Sequence, residues 1–142
     1  MKFVYLAERM NHAPRLAAAH YREWGPLLPD WSESEALAEL ESHQHRCAVP
    51  TTILGIDESS DEDQLIGSVS LLANDHEQIR AYSPWLASLY VWPAYRGQGH
   101  GVALVQRCLA EARALGLPKI YLYTAGQQVF YRKLGWRDTT IP

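Results

Sequence analysis

Residues 84–116 read PWLASLYVWPAYRGQGHGVALVQRCLAEARALG, and the reading of this stretch decides the fold. Residues 85–92 are an apolar and aromatic run interrupted only by Ser88, the length and composition of a strand buried on both faces. Pro93 removes a backbone donor and closes that strand. Arg96, Gly97, Gln98, Gly99, His100 and Gly101 then lead into an amphipathic segment. Its Leu104, Val105, Cys108, Leu109, Ala112 and Leu115 fall on one helical stripe. Gly116 and Pro118 stop the helix. The stretch predicts a strand, a glycine-rich turn and a helix.

Three glycines at alternate positions let the backbone turn tightly and leave its amides uncovered by side chains. Amides at the start of a helix lack intrahelical acceptors and lie at the positive end of the dipole, so such a turn can hold an anion. Arg96 sets a charged donor suited to phosphate at its edge. The alternative is a tight turn that only admits close packing. A Walker loop would need Gly-Lys-Ser or Gly-Lys-Thr, which is absent. A dinucleotide fingerprint needs G-x-G-x-x-G and a later acidic residue. Here the spacing is G-x-G-x-G, and the next strand, residues 119–124, has no carboxylate. A diphosphate held without a ribose-reading acid points to another nucleotide-bearing cofactor.

Arg96-x-x-Gly99-x-Gly101, after a strand ending in Leu89-Tyr90-Val91-x-Pro93, resembles the acetyl-coenzyme A signature of the GCN5-related N-acetyltransferases. Phe130-Tyr131-Arg132-Lys133-Leu134-Gly135-Trp136 resembles that family's second signature, F-Y-x-K-x-G-F/W. The resemblance implies a three-layer α-β-α fold with a mixed, splayed sheet and acetyl-CoA as donor. The amides of Gly97, Gln98, Gly99, His100, Gly101 and Val102, with Arg96 beside them, would hold the pyrophosphate. Backbone groups of Leu89, Tyr90 and Val91 would pair with the pantetheine arm. Tyr131 matches the family tyrosine near the sulfur, where its hydroxyl would donate to the departing thiolate. His100 departs from the branched apolar residue common at its position.

The acceptor side is less determined. In the family resembled, the first two helices and their loop help to form it. Tyr21, Trp24 and Trp31, with Trp85, are the candidate aromatic wall, and Glu23 and Asp30 can attract a cationic amine; solvated acids and helix-stapling aromatics are the competing reading. Glu77 is the candidate base, with Asp75, Glu23, Asp30 and a water chain as alternatives. No cysteine stands as an acyl-enzyme nucleophile, because Cys108 lies on the apolar stripe and Cys47 follows the second helix. The acceptor expected is the primary amine of a small molecule. A protein or peptide N-terminus, a non-catalytic coenzyme A sensor or structural subunit, and transfer of a longer acyl group are the rivals.

The 142 residues suit one domain, residues 1–142, with a real core. A formal charge of −3 without a basic cluster argues against a nucleic-acid grip. No apolar run is long enough to span a membrane, and the expected location is the cytoplasm. No His, Cys, Asp or Glu set has zinc spacing, and His43 and His45 do not share a helix face. His12 and His20 give no better signal. A homodimer is expected from the commonest oligomer symmetry.

The other elements follow in order. Residues 2–7 alternate as a first strand. A helix from Asn11, its expected cap, runs through Tyr21 or Trp24 with Pro14 in the first turn. Ser32 and Glu35 form a capping box that opens a second helix, fraying near residues 43–46. Strands are expected from Ala48 to Gly55 or Ile56 and from Leu65 to Leu72. The five carboxylates of residues 57–63 make a solvated tip between them. Residues 74–83 are a polar excursion on the substrate side. After the strand at 119–124, residues 127–134 make a short helix, and a further strand begins at Trp136. The chain ends one strand short of the family pattern, which leaves truncation, a trimmed fold or a partner-covered edge open.

Overall fold

The computed structural model describes residues 1–45, 48–57, 64–73, 84–122 and 127–137. Strand β1 (Lys2–Tyr5) is followed by two 3-10 turns and helix α1 (Ala13–Trp24), then by α2 (Glu33–Glu41). Strands β2 (Thr51–Asp57), β3 (Gln64–Leu72) and β4 (Trp85–Val91) come next. Helix α3 (His100–Ala114), the short β5 (Tyr121–Leu122) and α4 (Gln128–Lys133) complete the described elements. The sheet order is β1-β2-β3-β4-β5, antiparallel except for the parallel β4–β5 pair. This is the expected α/β class with a mixed sheet.

The sheet separates two packed layers. On one face Leu6, Leu16, Ala17, Leu40, Leu54 and Ile56 pack beneath α1 and α2. On the other, Ile53, Val69, Leu71 and Leu86 pack against Leu104, Val105 and Cys108 of α3. Strand alternation sends Leu54 and Ile53 to opposite layers. Gly67 of β3 is hemmed in by β4 and by Leu104 of α3. A Cβ there would collide with the Tyr90 carbonyl oxygen and sit 2.9 Å from Leu104 Cδ1.

Several expectations need correction. Helix α1 takes His12, not Asn11, as its N-cap, and no side chain caps it; Pro14 supplies the preorganised first turn. β1 stops at Tyr5 because Leu6 turns into the core in a 3-10 segment. The second strand begins at Thr51 rather than Ala48. β4 is not buried throughout, since Ser88, Leu89 and Val91 are half-buried. The α3 stripe leaves Leu109 and Leu115 half-buried and instead buries Glu111. That carboxylate accepts from the Tyr5 hydroxyl at 2.9 and 3.0 Å and from Arg107 Nη1 at 2.9 Å, so it enters the interior with partners. The strand expected at 119–124 is described only as Tyr121–Leu122. Trp136 and Arg137 are not in a strand, and the rest of that expected element lies outside the described residues.

The Ser32 cap is as expected, its hydroxyl oxygen accepting from Glu35 N at 3.1 Å, while the return half of the box differs: the Ser32 hydroxyl donates to Glu35 Oε1 at 3.1 Å.

Candidate active site

The site grows from an irregularity in β4. Ser68 pairs with Tyr90 but Ser70 pairs with Ala87, so β4 carries one extra residue there. Ser88 takes φ 54°, a left-handed conformation that a β-carbon disfavours. The β4–β5 ladder consists of Trp85↔Tyr121 and Leu86↔Leu122, at the start of β4. Among the described residues, β4 beyond the bulge has β3 alone as its ladder partner. Trp92 N donates to Ile66 O at 2.9 Å, so strand alternation turns the Tyr90 groups towards β3 and the Val91 groups away from it. Of the three residues expected to meet a pantetheine arm, Tyr90 is therefore committed to the sheet.

Past Pro93 the chain makes its glycine turn. Gly97 has φ 78° and Gly99 φ 84°, values that glycine adopts without penalty. A Cβ built at either would meet nothing within 4 Å, so both face open space. Gly99 is the N-cap of α3 and no side chain caps that end. The first bond into the helix is Ala103 N to Gly99 O at 3.2 Å. Among the described residues, the amides of residues 97–102 have no acceptor outside the helix, and His100, Gly101 and Val102 occupy the positions that have none within it. The mouth of a 15-residue helix thus offers clustered donors at the positive end of its dipole. This is a cradle that side chains would fill, and its donors fit a diphosphate.

Arg96 does not stand free beside the cradle. Its Nε donates to Val91 O at 2.7 Å, Nη2 lies 3.5 Å from Glu23 Oε2, and the guanidinium sits 5.4 Å from the Tyr90 ring centre. It ties the turn to β4 and α1 while keeping further donors. Glu23, a candidate for attracting the amine, is engaged by this arginine. The His100 ring meets Tyr95 edge-on at 6.1 Å.

Tyr131 comes from α4, on the α3 side of the sheet. It is 9% exposed and packs with Phe130 at 5.0 Å and Trp136 at 6.0 Å between ring centres. Burial, then the Cys108 thiol beside it, pushes its pKa up to about 12, so it holds its proton at neutral pH. Cys108 is a buried free thiol, raised to about 12 chiefly by burial, which leaves it unreactive as a nucleophile.

The four candidate wall aromatics do not form one surface. Tyr21 and Trp31 pair at 6.0 Å, Trp24 packs with His20 at 4.9 Å and Tyr90 at 6.1 Å, and Trp85 is 1% exposed against Tyr121. Glu77, Asp75 and the whole 74–83 excursion lie outside the described residues, as do Cys47 and residues 58–63 of the acidic tip. His43 and His45 turn to different partners, Thr52 Oγ1 and Pro50 O, each at 3.0 Å.

The structure adds residues that the sequence reading passed over. His20, 4% exposed, shares a 3.2 Å hydrogen bond between Nε2 and Ser68 Oγ. Its position on the α1 stripe with Ala13, Leu16 and Ala17 is a signal visible in the spacing. A groove of about 780 Å³ lined by Leu109, Ala112, Ile120, Leu134 and Trp136 lies at the opposite end of α3. Leu109 and Ala112 lie roughly 15–20 Å along the helix from Gly99.

The profile of the acetyltransferase (GNAT) family matches residues 15–136. The chain belongs to that family and is an acetyltransferase. Solved structures share the fold. An acetyltransferase of Trypanosoma brucei is 24% identical with a TM-score of 0.66, covering 99% of this chain and 95% of its own. A Clostridium acetobutylicum acetyltransferase solved with acetyl-CoA is 14% identical, with a TM-score of 0.71 and coverage of 97% and 90%. Glucosamine-6-phosphate N-acetyltransferase of Arabidopsis thaliana is 15% identical, with a TM-score of 0.63 and coverage of 100% and 96%. No curated protein matches the chain in sequence. Among the described residues, no helix is long and apolar enough to cross a membrane.

Proposed function

We propose that the chain transfers the acetyl group of acetyl-CoA directly to the primary amine of a small molecule. The observation that carries this reading is the open row of amides over residues 97–102 at the uncapped mouth of α3. These amides hold the diphosphate, and Arg96 fixes the turn. Leu89 and Val91, beside the bulge, align the pantetheine arm along β4. Proximity does much of the work, since holding donor and amine in register replaces a bimolecular encounter. Tyr131 keeps its proton at neutral pH and donates it to the departing sulfur. Cys108 takes no part, which supports direct attack. Tyr21, Trp24 and Trp31 border the amine side.

The test is calorimetric titration with coenzyme A, followed by acetyl-CoA consumption across a panel of primary amines with product masses. Wild type binds coenzyme A, and Gly99→Val weakens binding by tenfold or more. The variant strains a left-handed position by about 1–2 kcal/mol and places a side chain in the cradle. Binding that is equal in both proteins would remove the cradle from the reading. Tight binding without transfer to any amine makes the protein a sensor, and acetylation of peptide N-termini alone makes the acceptor a polypeptide. Tyr131→Phe lowers turnover by roughly ten- to a hundredfold with coenzyme A affinity within a few-fold. Unchanged turnover at saturating substrates would show that the hydroxyl has no chemical role.

A further inference from the structure

Polar side chains are buried on one face of the sheet beside the β4 bulge. Ser68 and Ser70 lie two residues apart on the same face of β3, 0% and 1% exposed. Ser68 bonds His20 at 3.2 Å, and Ser70 Oγ is 2.8 Å from Thr52 Oγ1, which in turn is 3.0 Å from His43 Nδ1. Their partners across the ladder are Tyr90 and Ala87, which flank the extra residue of β4. The His20 ring also lies 6.0 Å from that of Tyr90. This face is opposite Tyr131, which packs with the α3 layer. If the thioester lies along β4 with its sulfur towards Tyr131, the amine approaches from the side of His20.

One nitrogen of His20 is open. Nε2 is taken by Ser68, and Nδ1 forms no hydrogen bond among the described residues. Among the same residues, no fully enclosed side-chain nitrogen or oxygen lacks a partner, so Nδ1 retains accessible surface although the residue is 4% exposed. In the tautomer with hydrogen on Nε2, His20 donates to Ser68 and Nδ1 presents its lone pair.

We propose that His20 accepts the proton of the acceptor amine at Nδ1 while its Nε2–H donates to Ser68. The N–H bond of the amine breaks as Nδ1–H forms. Ser68 Oγ holds the resulting imidazolium at Nε2, and the proton leaves Nδ1 for solvent once the product departs. The groups that face His20 are His43, whose charge it senses, and the Tyr90 and Trp24 rings; among the described residues no carboxylate pairs with it. Burial, then His43, holds the His20 pKa down at about 4, so the ring is neutral at neutral pH and its imidazolium gives up a proton readily. This proposal rests on the acetyl-transfer reading for its substrate, though not for its structural half.

Two measurements test it. Nitrogen-15 NMR of the imidazole rings in the free protein reads the His20 tautomer without substrate. The expected result is hydrogen on Nε2 and a neutral ring down to about pH 5. Hydrogen on Nδ1, or titration near the ordinary histidine value, overturns the proposal. Acetyl transfer to the best amine of the panel then compares wild type with His20→Gln, Ser68→Ala and Glu77→Gln, each checked for folding by circular dichroism. His20→Gln lowers kcat about a hundredfold with the acetyl-CoA KM within threefold, and Ser68→Ala lowers kcat about tenfold. If His20→Gln stays within threefold in kcat while Glu77→Gln abolishes turnover, the proton goes elsewhere and the proposal fails. Should His20→Gln not fold, Ser68→Ala decides. A wild type that ignores coenzyme A sinks the transfer reading alone, and the NMR result then stands or falls by itself.

Discussion

The two faces of this sheet are built differently. Under α3, Ile53, Val69, Leu71, Leu86, Leu104 and Val105 make a dry layer. Under α1 and α2, the β1–β2 side is equally apolar, with Leu54 and Ile56 buried. Towards β3 and β4, the same face carries Thr52, Ser68, Ser70 and His20, all buried. A core needs no hydroxyls or imidazoles for stability, because each must find a partner to offset its desolvation. Among the described residues every enclosed side-chain polar atom has found one. The buried hydroxyls and imidazole of the α1 face gather beside the β4 bulge, whereas on the α3 face the buried carboxylate of Glu111 sits towards β1, met by Tyr5 and Arg107.

The largest test of this contrast is Leu104→Ala on the dry face. Leu104 is 0% exposed and packs against Gly67 and Gly55. Its truncation costs about 3 kcal/mol or more. Urea unfolding at pH 7.5 and pH 5 should show the same loss at both values, since the buried cluster it belongs to holds no group that titrates between them. A loss that doubled at pH 5 would mean that the two faces are not separable.

The polar face should respond to acid instead. His20 falls from 6.5 to about 4 on folding through burial and then the charge of His43; His43 also falls to about 4, through burial and then His45. Between these values the unfolded chain binds more protons, so stability is fully present above about pH 6.5 and is lost as the pH falls towards 4. For His20 alone the loss is on the order of 3 kcal/mol. Unfolding curves from pH 7.5 to 4.5 for wild type and His20→Gln isolate it, because His43 contributes to both. Parallel curves would mean that the His20 ring is protonated as easily in the folded state as in the unfolded one.

How much of this was legible depended on whether the cause was local. Gly97, Gly99 and Gly101 declare their turn because left-handed or uncovered backbone selects glycine where it stands. Ser32 and Glu35 likewise announce a helix start three residues apart. The buried polar face was not legible, although His20 sits on the α1 stripe. Whether Ser68 and Ser70 point inward depends on β3–β4 register and on the extra residue in β4, neither of which is written in local spacing. Glu111 is a sharper case, since its partner Tyr5 is 106 residues away and helical periodicity alone marks the position as apolar. The expected base, Glu77, came from proximity in sequence to β4, and the residues around it lie outside the described set.

The finest test separates a connected polar chain from hydroxyls that only fill space. Thr52→Val keeps the shape and removes the oxygen shared by Ser70 and His43. Leaving both unpaired costs about 2 kcal/mol. Ser70→Ala removes the partner at 2.8 Å, and the double variant no longer strands either hydroxyl. The cycle should therefore fall short of additivity by about 1 kcal/mol. Strict additivity would mean that Thr52 and Ser70 are independently placed. Val69→Thr, one residue from Ser70 but facing the dry layer, supplies the matched control, because there an added hydroxyl meets no partner and destabilises at every pH.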